Sequence, residues 1–327
     1  MNNRVGLGTF PLADVFNKIT IPEAKSLVAE FIGLGGYYID TAPMYGFGEV
    51  ENLLGSVFKN FKREDFYIIT KCGYIDVEGK TFQTIQKSGK YKDVIRECDN
   101  SLKRLGLDYI DLYFMHSPDA ATPASETIEA MTELKKQGKI KAIGVSNVDL
   151  KELTEYNANN NVEFIQNRFS LLNRSIDSDL EKYLLANKIG LVPYQVIDRG
   201  QLTGSLIEGF NLRKEDLRNG RSDWDPEKLN LIAAWSKQSL QPVAKKLGIT
   251  LGQLSIAWAL HQPYLAFVIV GATKHSYLPI NLKADSIKLT KETLAEINAA
   301  YLELEQEIKQ KFKQSLREFR GLNEKYY

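Results

Sequence analysis

The sequence has few of the residues that build disulfide frameworks and metal centres. Its 327 residues include two cysteines, Cys72 and Cys98, and three histidines. Two cysteines are too few for a disulfide framework, so we expect a reducing, cytoplasmic environment. The cysteines and histidines are scattered without the spacing of metal ligands, so we predict no metal site.

The sequence also lacks an excess of charge of one sign and a long apolar run. It has 42 Lys and Arg against 41 Asp and Glu, a formal net charge of +1. This balance gives no overall field to attract nucleic acid or an anionic membrane. The longest uncharged apolar runs, such as 265–272, are far shorter than a membrane span of about 20 residues. We therefore expect a soluble protein that binds neither nucleic acid nor membrane.

What the sequence does contain is an alternation of strand-like and helix-like segments. Eight short apolar runs predict strands, at 5–10, 37–40, 66–71, 109–116, 141–147, 162–170, 190–196 and 266–272. Helical periodicity lies between them, for example over 22–34, 91–105 and 125–137. Eight such units in about this length predict an α/β fold, a closed (β/α)8 TIM barrel.

Two segments do not follow the alternation. Residues 198–226, after the seventh strand, are rich in glycine and charge and predict a long loop that is a candidate lid. After the eighth strand, apolar residues at helical spacing predict extra C-terminal helices over 285–327. We expect these helices to pack on the barrel, so that residues 1–327 form one domain, with a partner-binding helix as the alternative.

Several polar residues fall where predicted strands end. Asp40 closes the second strand, Lys71 the third and His116 the fourth, and the turn after Asp40 carries Tyr45. In a barrel the carboxyl ends of the strands face one site, so these residues are expected to converge. Taken singly, each has a structural alternative, such as a buried ion pair between Asp40 and Lys71.

In order and spacing, a set of short segments resembles the aldo-keto reductase superfamily over nearly the whole chain, to about Asn281. The matching segments are Gly-Leu-Gly-Thr-Phe at 6–10, Ile-Asp-Thr-Ala at 39–42 with Tyr45-Gly46, Ile-Thr-Lys at 69–71, Ser-Leu-Lys-Arg-Leu at 101–105, Asp-Tyr-Ile-Asp-Leu at 108–112 with His116, Ile-Gly-Val-Ser-Asn at 143–147, Gln166-Asn167, Arg199-Gly200, Leu-Thr-Gly at 202–204 and Gly271-Ala272. The resemblance implies reduction of an aldehyde or ketone to an alcohol with NAD(P)H, with a sugar-like carbonyl compound as one candidate substrate.

The resemblance also implies the catalytic roles. Tyr45 would be the general acid, Lys71 and Asp40 its supporting pair, and His116 the residue that orients the carbonyl. A tyrosine hydroxyl, with a free pKa of about 10, is a weak acid at neutral pH. An adjacent lysine ammonium lowers that pKa because it stabilises the phenolate.

Gly6-Leu7-Gly8 is not a Rossmann fingerprint, because Pro11 stands where the third glycine would be and no helix begins there. The cofactor site is therefore taken from the same resemblance. The implied cofactor-binding residues are Gly8, Thr9, Asp40, Ser146, Asn147, Gln166, Tyr194, Gln195, Arg199, Gly200, Leu202, Gly271, Thr273, Lys274 and Asn281. Gln195-Val196-Ile197 departs from the Ser-Pro-Leu that members commonly carry. Lys274 is either a point charge for the 2′-phosphate of NADP or a solvated loop charge, so NADPH is preferred and NAD is an alternative.

The predicted substrate pocket contains Phe10, Tyr45 and His116, and Trp224 of the long loop closes over it. Met44, Tyr74 and Phe169 are further candidates for its apolar wall. Two other functions stay open: a nucleotide-binding regulatory subunit that acts through a partner, and a cofactor-dependent epimerase or eliminase. The sequence does not indicate the oligomeric state.

Overall fold

The predicted strands form one parallel sheet that closes into a barrel. The computed structural model describes residues 2–76, 79–81, 84–209 and 211–321. The barrel strands are β1 Val5–Gly8, β2 Tyr38–Asp40, β3 Tyr67–Cys72, β4 Ile110–Met115, β5 Ile140–Ser146, β6 Phe164–Gln166, β7 Gly190–Leu191 and β8 Val268–Gly271. Their order is β8-β1-β2-β3-β4-β5-β6-β7. A parallel bridge between Leu191 and Leu265 joins β7 to the chain that enters β8, so the predicted (β/α)8 fold is confirmed.

Helices connect the strands and cover the outside of the barrel. Their bounds are α1 Ile21–Gly33, α2 Glu49–Phe58, α3 Tyr91–Leu105, α4 Ala124–Lys136, α5 Leu150–Tyr156, α6 Ser178–Asn187, α7 Ser205–Glu208, α8 Pro226–Trp235, α9 Gln241–Lys246, α10 Leu251–Leu260, α11 Tyr277–Lys283, α12 Lys291–Phe312 and α13 Leu316–Phe319. No helix within the described ranges is long and apolar enough to cross a membrane.

The alternation of side chains along the strands decides which residues face the barrel interior. Side chains at every second position of a strand share one face. One apolar cluster fills the interior: Ile69, Leu112, Phe114, Ala142, Val192, Phe267 and Ile269. Three polar residues each follow a member of this cluster by two positions, so the same alternation directs them to the inner face: Lys71, His116 and Tyr194. The packing of the interior therefore brings the polar side chains at the strand ends towards one region.

The glycines of β1 allow this packing to be close. A Cβ atom built on Gly6 would lie 2.9 Å from side-chain atoms of both Ile269 and Tyr38. One on Gly8 would lie 2.8 Å from the side chain of Ile269. Contacts this short are not tolerated, so both glycines are required by strand packing.

The long segment after β7 is more ordered than its sequence indicates. It contains two 3₁₀ turns, Asp198–Gly200 and Ser222–Trp224, with α7 between them. The next helix, α8, begins at Pro226, where Asp225 accepts hydrogen bonds from the N–H groups of Glu227 and Lys228. A π-helical turn, Ser236–Leu240, separates α8 from α9 just before Pro242, which has no N–H to donate.

Buried ion pairs fix this segment to the barrel. Six side chains, named the loop cluster, take part: Arg168, Asp198, Arg199, Arg221, Asp223 and Arg320. Asp198 lies 2.6 Å from Arg168 and 3.1 Å from Arg320. Asp223 lies 3.0 Å from Arg199 and 2.9 Å from Arg221. Because Arg320 follows α13, the C-terminal part of the chain helps to hold the long loop.

The C-terminal helices contribute to the main hydrophobic core. Ile297, Leu304 and Ile308 of α12 are fully buried in it. The indole N–H of Trp235 donates to the carbonyl of Ala300 at 2.8 Å, which joins α8 to α12. We propose that 285–327 is an extension packed on the barrel within a single domain of residues 1–327, of which 322–327 lie outside the described residues.

Replacing Leu304 by Ala tests this packing. Removal of a buried leucine side chain lowers the free energy of unfolding by about 2–5 kcal/mol. Leu302 lies on the same helix and is 53% exposed, so Leu302→Ala is the matched control with an expected change within about 0.5 kcal/mol. Urea unfolding followed by circular dichroism measures both values. Equal effects of the two substitutions would contradict the proposed packing of α12.

The ionisation of Asp198 is expected to make stability depend on pH. Burial acts to raise the pKa of Asp198, but Arg320 and Arg168 outweigh it and lower the pKa from 3.8 to about 2. The stabilisation from the ionised carboxylate is therefore present above about pH 4 and is lost as the pH falls towards 2.

Between pH 6 and 3 this carboxylate accounts for about 1 kcal/mol of the loss in unfolding free energy. Asp198→Asn is expected to be less stable at pH 6, because buried arginines lose a partner, and to lose less on acidification. Asp179→Asn, at a carboxylate whose side chain is 72% exposed, is the control and should keep the wild-type pH dependence. Urea titrations at both pH values give the comparison; an unaltered pH dependence in Asp198→Asn would refute this role.

Candidate active site

Asp40 and Lys71 form a buried ion pair at the carboxyl ends of β2 and β3. The ammonium Nζ of Lys71 lies 2.9 Å from each carboxylate oxygen of Asp40 and 2.7 Å from the carbonyl oxygen of Thr41. These acceptors match the three N–H bonds of an ammonium. Burial lowers the pKa of Lys71, and the charge of Asp40 opposes that shift. The geometry therefore holds a protonated lysine in a fixed position.

Tyr45 lies next to this ion pair. It begins a short 3₁₀ turn, Tyr45–Gly48, that follows β2 and leads directly into α2. The Nζ atom of Lys71 lies 5.2 Å from the centre of the Tyr45 ring. The ring of Phe10 lies 5.1 Å away on another side and limits where Tyr45 can move. The positive charge of Lys71 at this distance favours the phenolate form of the tyrosine.

His116 lies on the other side of Tyr45, just after β4. The two rings are 6.2 Å apart and nearly perpendicular. Burial, together with the charges of Lys71 and Lys87, lowers the pKa of His116 well below 6.5. His116 is therefore neutral at pH 7, and its ring N–H is suited to donate a hydrogen bond to an uncharged or partly negative oxygen.

A group of predicted cofactor residues joins the predicted catalytic residues through hydrogen bonds. The amide of Gln166 donates to Asp40 at 2.7 Å, and the hydroxyl of Ser146 donates to the carbonyl of Gln166 at 2.6 Å. Asn147 donates to the carbonyl of His116 at 2.8 Å and accepts from the Tyr194 hydroxyl at 2.7 Å. The structure thus brings Ser146, Asn147, Gln166 and Tyr194 to the same end of the barrel as the catalytic residues.

The predicted residues on β1 and on the long loop reach the same end. Thr9 donates through both its N–H and its hydroxyl to the carbonyl of Asp40, at 2.9 and 2.8 Å. Gln195 has a positive φ of 56°, and its side-chain oxygen is buried without a hydrogen-bond partner among the described residues. Arg199 and Gly200 lie in the first 3₁₀ turn of the long loop, and Leu202 is buried beside it.

The remaining predicted cofactor residues follow β8. Gly271 packs against Pro11, to which a Cβ atom would come within 2.7 Å. Thr273 accepts a hydrogen bond from Asn17 at 3.1 Å. Lys274 is exposed, with Nζ 5.7 Å from the ring of Tyr277 at the start of α11. Asn281 lies within that helix. Gly8 is in register with both Gly271 and Asp40, so β8 ends at the same rim of the barrel as β2.

A cavity of about 430 Å³ lies near Tyr45 and His116. Its lining residues are Phe10, Phe16, Met44, Tyr74, Ile85, Lys87, Arg199, Leu217 and Arg221. Two of these residues contact the predicted catalytic residues: the ring of Tyr74 lies 5.3 Å from that of His116, and the ring of Phe10 lies 5.1 Å from that of Tyr45. A second cavity, of about 420 Å³ near Asn3 and Leu34, shares no lining residue with it.

Of the residues predicted for the substrate pocket, Phe10, Met44 and Tyr74 line this cavity, and the others do not: Tyr45, His116, Trp224 and Phe169. Trp224 is buried, and the guanidinium of Arg218 lies 4.8 Å from the centre of its ring. Phe169 stacks on Trp258 of α10 at 5.2 Å. Both side chains therefore pack within the protein, and the long loop presents Leu217 and Arg221 to the cavity instead.

The sequence did not indicate Leu217 and Arg221 as residues of the cavity. Of the loop cluster, it indicated only Arg199 as a site residue. Arg168 directly follows the Gln166-Asn167 motif, and Asp223 precedes Trp224, so both stand beside residues that the sequence predicts for the site. Their charges were the available signal, but a charge in a loop is usually solvated, and the sequence does not reveal its partners. Within the described ranges, no group of three or more His, Cys, Asp or Glu side chains is placed to hold a metal ion.

Known proteins with similar sequences share this arrangement of segments. The model of the Aldo/keto reductase family matches residues 4–302. The aldo-keto reductase YhdN of Bacillus subtilis (strain 168) is 31% identical over 302 residues, which cover 90% of this chain and 89% of that protein. The NADH-specific methylglyoxal reductase of Escherichia coli (strain K12) is 31% identical over 307 residues, with 88% and 91% covered.

A solved structure shows the same fold at lower identity. The glycerol dehydrogenase AKR11B4 from Gluconobacter oxydans superposes with a TM-score of 0.82 over 92% of this chain and 91% of that one, at 24% identity. The family match extends over the segments that carry Asp40, Tyr45, Lys71 and His116. The chain is therefore an oxidoreductase of the aldo-keto reductase family.

Proposed function

We propose that this protein reduces a small aldehyde or ketone to an alcohol with NADPH, and that Tyr45 supplies the proton. The observation that carries the proposal is the convergence of Tyr45, Lys71 and His116 beside an open cavity. Lys71 lies 5.2 Å and His116 6.2 Å from the Tyr45 ring. A proton donor, a fixed positive charge and a neutral hydrogen-bond donor are the groups that carbonyl reduction requires.

The polar groups around the site suit a nicotinamide cofactor. A carboxamide has both donors and an acceptor, and Ser146, Asn147 and Gln166 provide complementary groups at the barrel end. The buried side-chain oxygen of Gln195, unpaired among the described residues, is a further acceptor in this region. When bound, the reduced nicotinamide supplies the hydride. The Tyr194 ring, held through its hydroxyl by Asn147, is the surface against which a nicotinamide ring would stack.

Tyr45 and Lys71 handle the proton. Reduction of a carbonyl leaves a negative charge on its oxygen, and the Tyr45 hydroxyl donates its proton to that oxygen. The phenolate that results is stabilised by the Lys71 ammonium. Asp40 keeps this ammonium in place, and Gln166 in turn holds Asp40 through a 2.7 Å hydrogen bond. The charge is therefore positioned before the reaction begins and needs no rearrangement.

His116 holds the carbonyl oxygen. Its low pKa keeps the ring neutral, so its N–H donates a hydrogen bond without competing with Tyr45 as an acid. The perpendicular rings of Tyr45 and Tyr74 lie on either side of it and restrict its orientation. A donor fixed in this way stabilises the charge that develops on the oxygen.

The proposed preference for NADPH depends on Lys274. This side chain is exposed at the start of α11, where a lysine can meet a phosphate as a point charge. The same exposure permits a purely solvated role, and NADH remains the alternative cofactor. A regulatory subunit would not need the assembled acid–base residues, so their presence favours the enzyme. An epimerase would use the same residues but would consume no cofactor.

Tyr45→Phe tests the assignment of the proton donor. Loss of a general acid is expected to lower kcat for aldehyde reduction by about 100-fold or more. NADPH binding, measured by quenching of intrinsic fluorescence, should be retained, because the hydroxyl is not part of the proposed cofactor site. Tyr37→Phe, just before β2 at the opposite end of the barrel, is the matched control. Turnover by Tyr45→Phe at the wild-type rate would exclude this role, and substrate conversion without NADPH oxidation would favour epimerisation.

Lys274→Ala tests the cofactor preference. Loss of one exposed positive charge is expected to weaken NADPH binding by up to about 5-fold and to leave NADH binding unchanged. Lys288→Ala removes an exposed charge outside the proposed site and serves as the control. Fluorescence titrations with both nucleotides give the ratio of dissociation constants. An unchanged ratio in Lys274→Ala removes the proposed role of Lys274, and failure of both nucleotides to bind contradicts the proposed function.

A further inference from the structure

The cavity beside Tyr45 and His116 combines an apolar wall with positive charge. Phe10, Phe16, Met44 and Tyr74 contribute to the wall. Three cationic side chains also line the cavity: Lys87, Arg199 and Arg221. None of the described residues that line it carries a carboxylate. Arg199 is one of the predicted cofactor-binding residues, but a pocket for a neutral sugar or a simple aldehyde has no need of Lys87 and Arg221, so these two cations call for a functional reason.

The two arginines are held in place by buried partners. Arg199 and Arg221 approach opposite oxygens of Asp223, at 3.0 and 2.9 Å. Asp223 is only 3% exposed. Burial acts to raise its pKa, but the charges of Arg199, Arg168 and Arg221 outweigh burial and lower the pKa. Asp223 is therefore ionised, and it fixes the arginines from within the protein.

The loop cluster makes these positions rigid. Arg168 also lies 3.3 Å from Asp223, and it forms a second ion pair with Asp198. Asp198 is in turn paired with Arg320. Across the six side chains, four guanidinium groups share two carboxylates, so the formal charges of the cluster sum to +2. A fixed cationic group loses little conformational entropy when it binds an anion, which favours recognition.

Lys87 adds charge from a different part of the chain. It lies on a two-stranded hairpin, in which Gln86–Lys87 pairs with Tyr74–Ile75. Its Nζ lies 3.4 Å from the carbonyl of Pro118 and 5.6 Å from the centre of the Tyr74 ring. Its charge also contributes to the low pKa of His116. Lys87 thus lies close to the catalytic residues and faces the cavity from the side of Tyr74.

We propose that the substrate is an anionic carbonyl compound, an aldehyde or ketone that carries a carboxylate or a phosphate group. The inference rests on the proposed function, because the carbonyl is placed at Tyr45 and His116. The anionic group then lies between Arg221 and Lys87, while Arg199 keeps its predicted place in the cofactor site. Guanidinium groups form paired, charge-assisted hydrogen bonds with both carboxylates and phosphates. The apolar wall contacts the part of the substrate between the two ends.

The test compares substrates that differ only in charge. For the carboxylate, 4-formylbenzoate is compared with the neutral 4-formylbenzamide, and 4-oxobutanoate with 4-oxobutanamide. For the phosphate, glyceraldehyde 3-phosphate is compared with glyceraldehyde. With the wild-type protein and NADPH, kcat/KM is expected to be about 10- to 100-fold higher for the anionic member of at least one pair. The pair that shows the preference identifies the anionic group.

Two substitutions locate the preference. Arg221→Met and Lys87→Met are each expected to lower the anionic-to-neutral ratio of kcat/KM by about 10-fold. Lys214→Met removes an exposed charge from the same long loop outside the cavity and should keep the wild-type ratio. The ratio is taken within each variant, so partial unfolding cancels, and the two variants lie on separate segments of the chain.

The outcomes separate this inference from the proposed function. If neutral and anionic aldehydes are reduced equally well, or if both substitutions leave the ratio unchanged, the anionic substrate class is excluded while carbonyl reduction stands. If neither kind of aldehyde is reduced although NADPH binds, the proposed function fails and the inference fails with it. The inference and the proposed function are both supported if the wild-type protein prefers the anionic substrates, if Arg221→Met and Lys87→Met reduce this preference, and if Lys214→Met leaves it unchanged.

Discussion

The ion pair of Asp40 and Lys71 is almost completely removed from water, and the catalytic end of the barrel is built around it. Two isolated charges in such a place would be strongly destabilising. Here the ammonium has three acceptors, and the carboxylate accepts from both Lys71 and Gln166. The pairing makes it possible to keep a positive charge 5.2 Å from the ring of Tyr45. Without it, the lysine would be driven towards its neutral form, and the tyrosine would lose its electrostatic support.

A second buried set of charges performs a comparable task on the long loop. Asp198 and Asp223 pair with arginines from three places: the segment just after β6, the long loop, and the residue after α13. A loop of this length would be costly to order by backbone contacts alone, because each fixed residue loses conformational entropy. The ionic contacts, each with little solvent to screen them, give the loop a defined position. They also bring Arg199 and Arg221 to the cavity.

In the proposed function the two sets of charges serve a reacting end and a recognising end of the substrate site. At the proposed reacting end, burial keeps His116 neutral while the contacts of Lys71 hold its ammonium in place, so the site offers a neutral donor and a positive charge beside Tyr45. At the other end, Lys87, Arg199 and Arg221 face the same space. The barrel supplies the first end from its strands and the second mainly from its loops. This division is the usual way in which one barrel scaffold supports different substrates.

The sequence by itself determined the fold and indicated which polar residues meet at one rim, because both follow from the order and the ends of the strands. The strand ends predicted that Asp40, Lys71 and His116 share that rim. Only the tertiary structure decided what holds them there. Gln166 bonds to Asp40 across 126 residues, Trp224 packs against Arg218 rather than the cavity, and Arg320 reaches Asp198. Such contacts depend on how loops and the C-terminal helices pack, and no local periodicity encodes that packing.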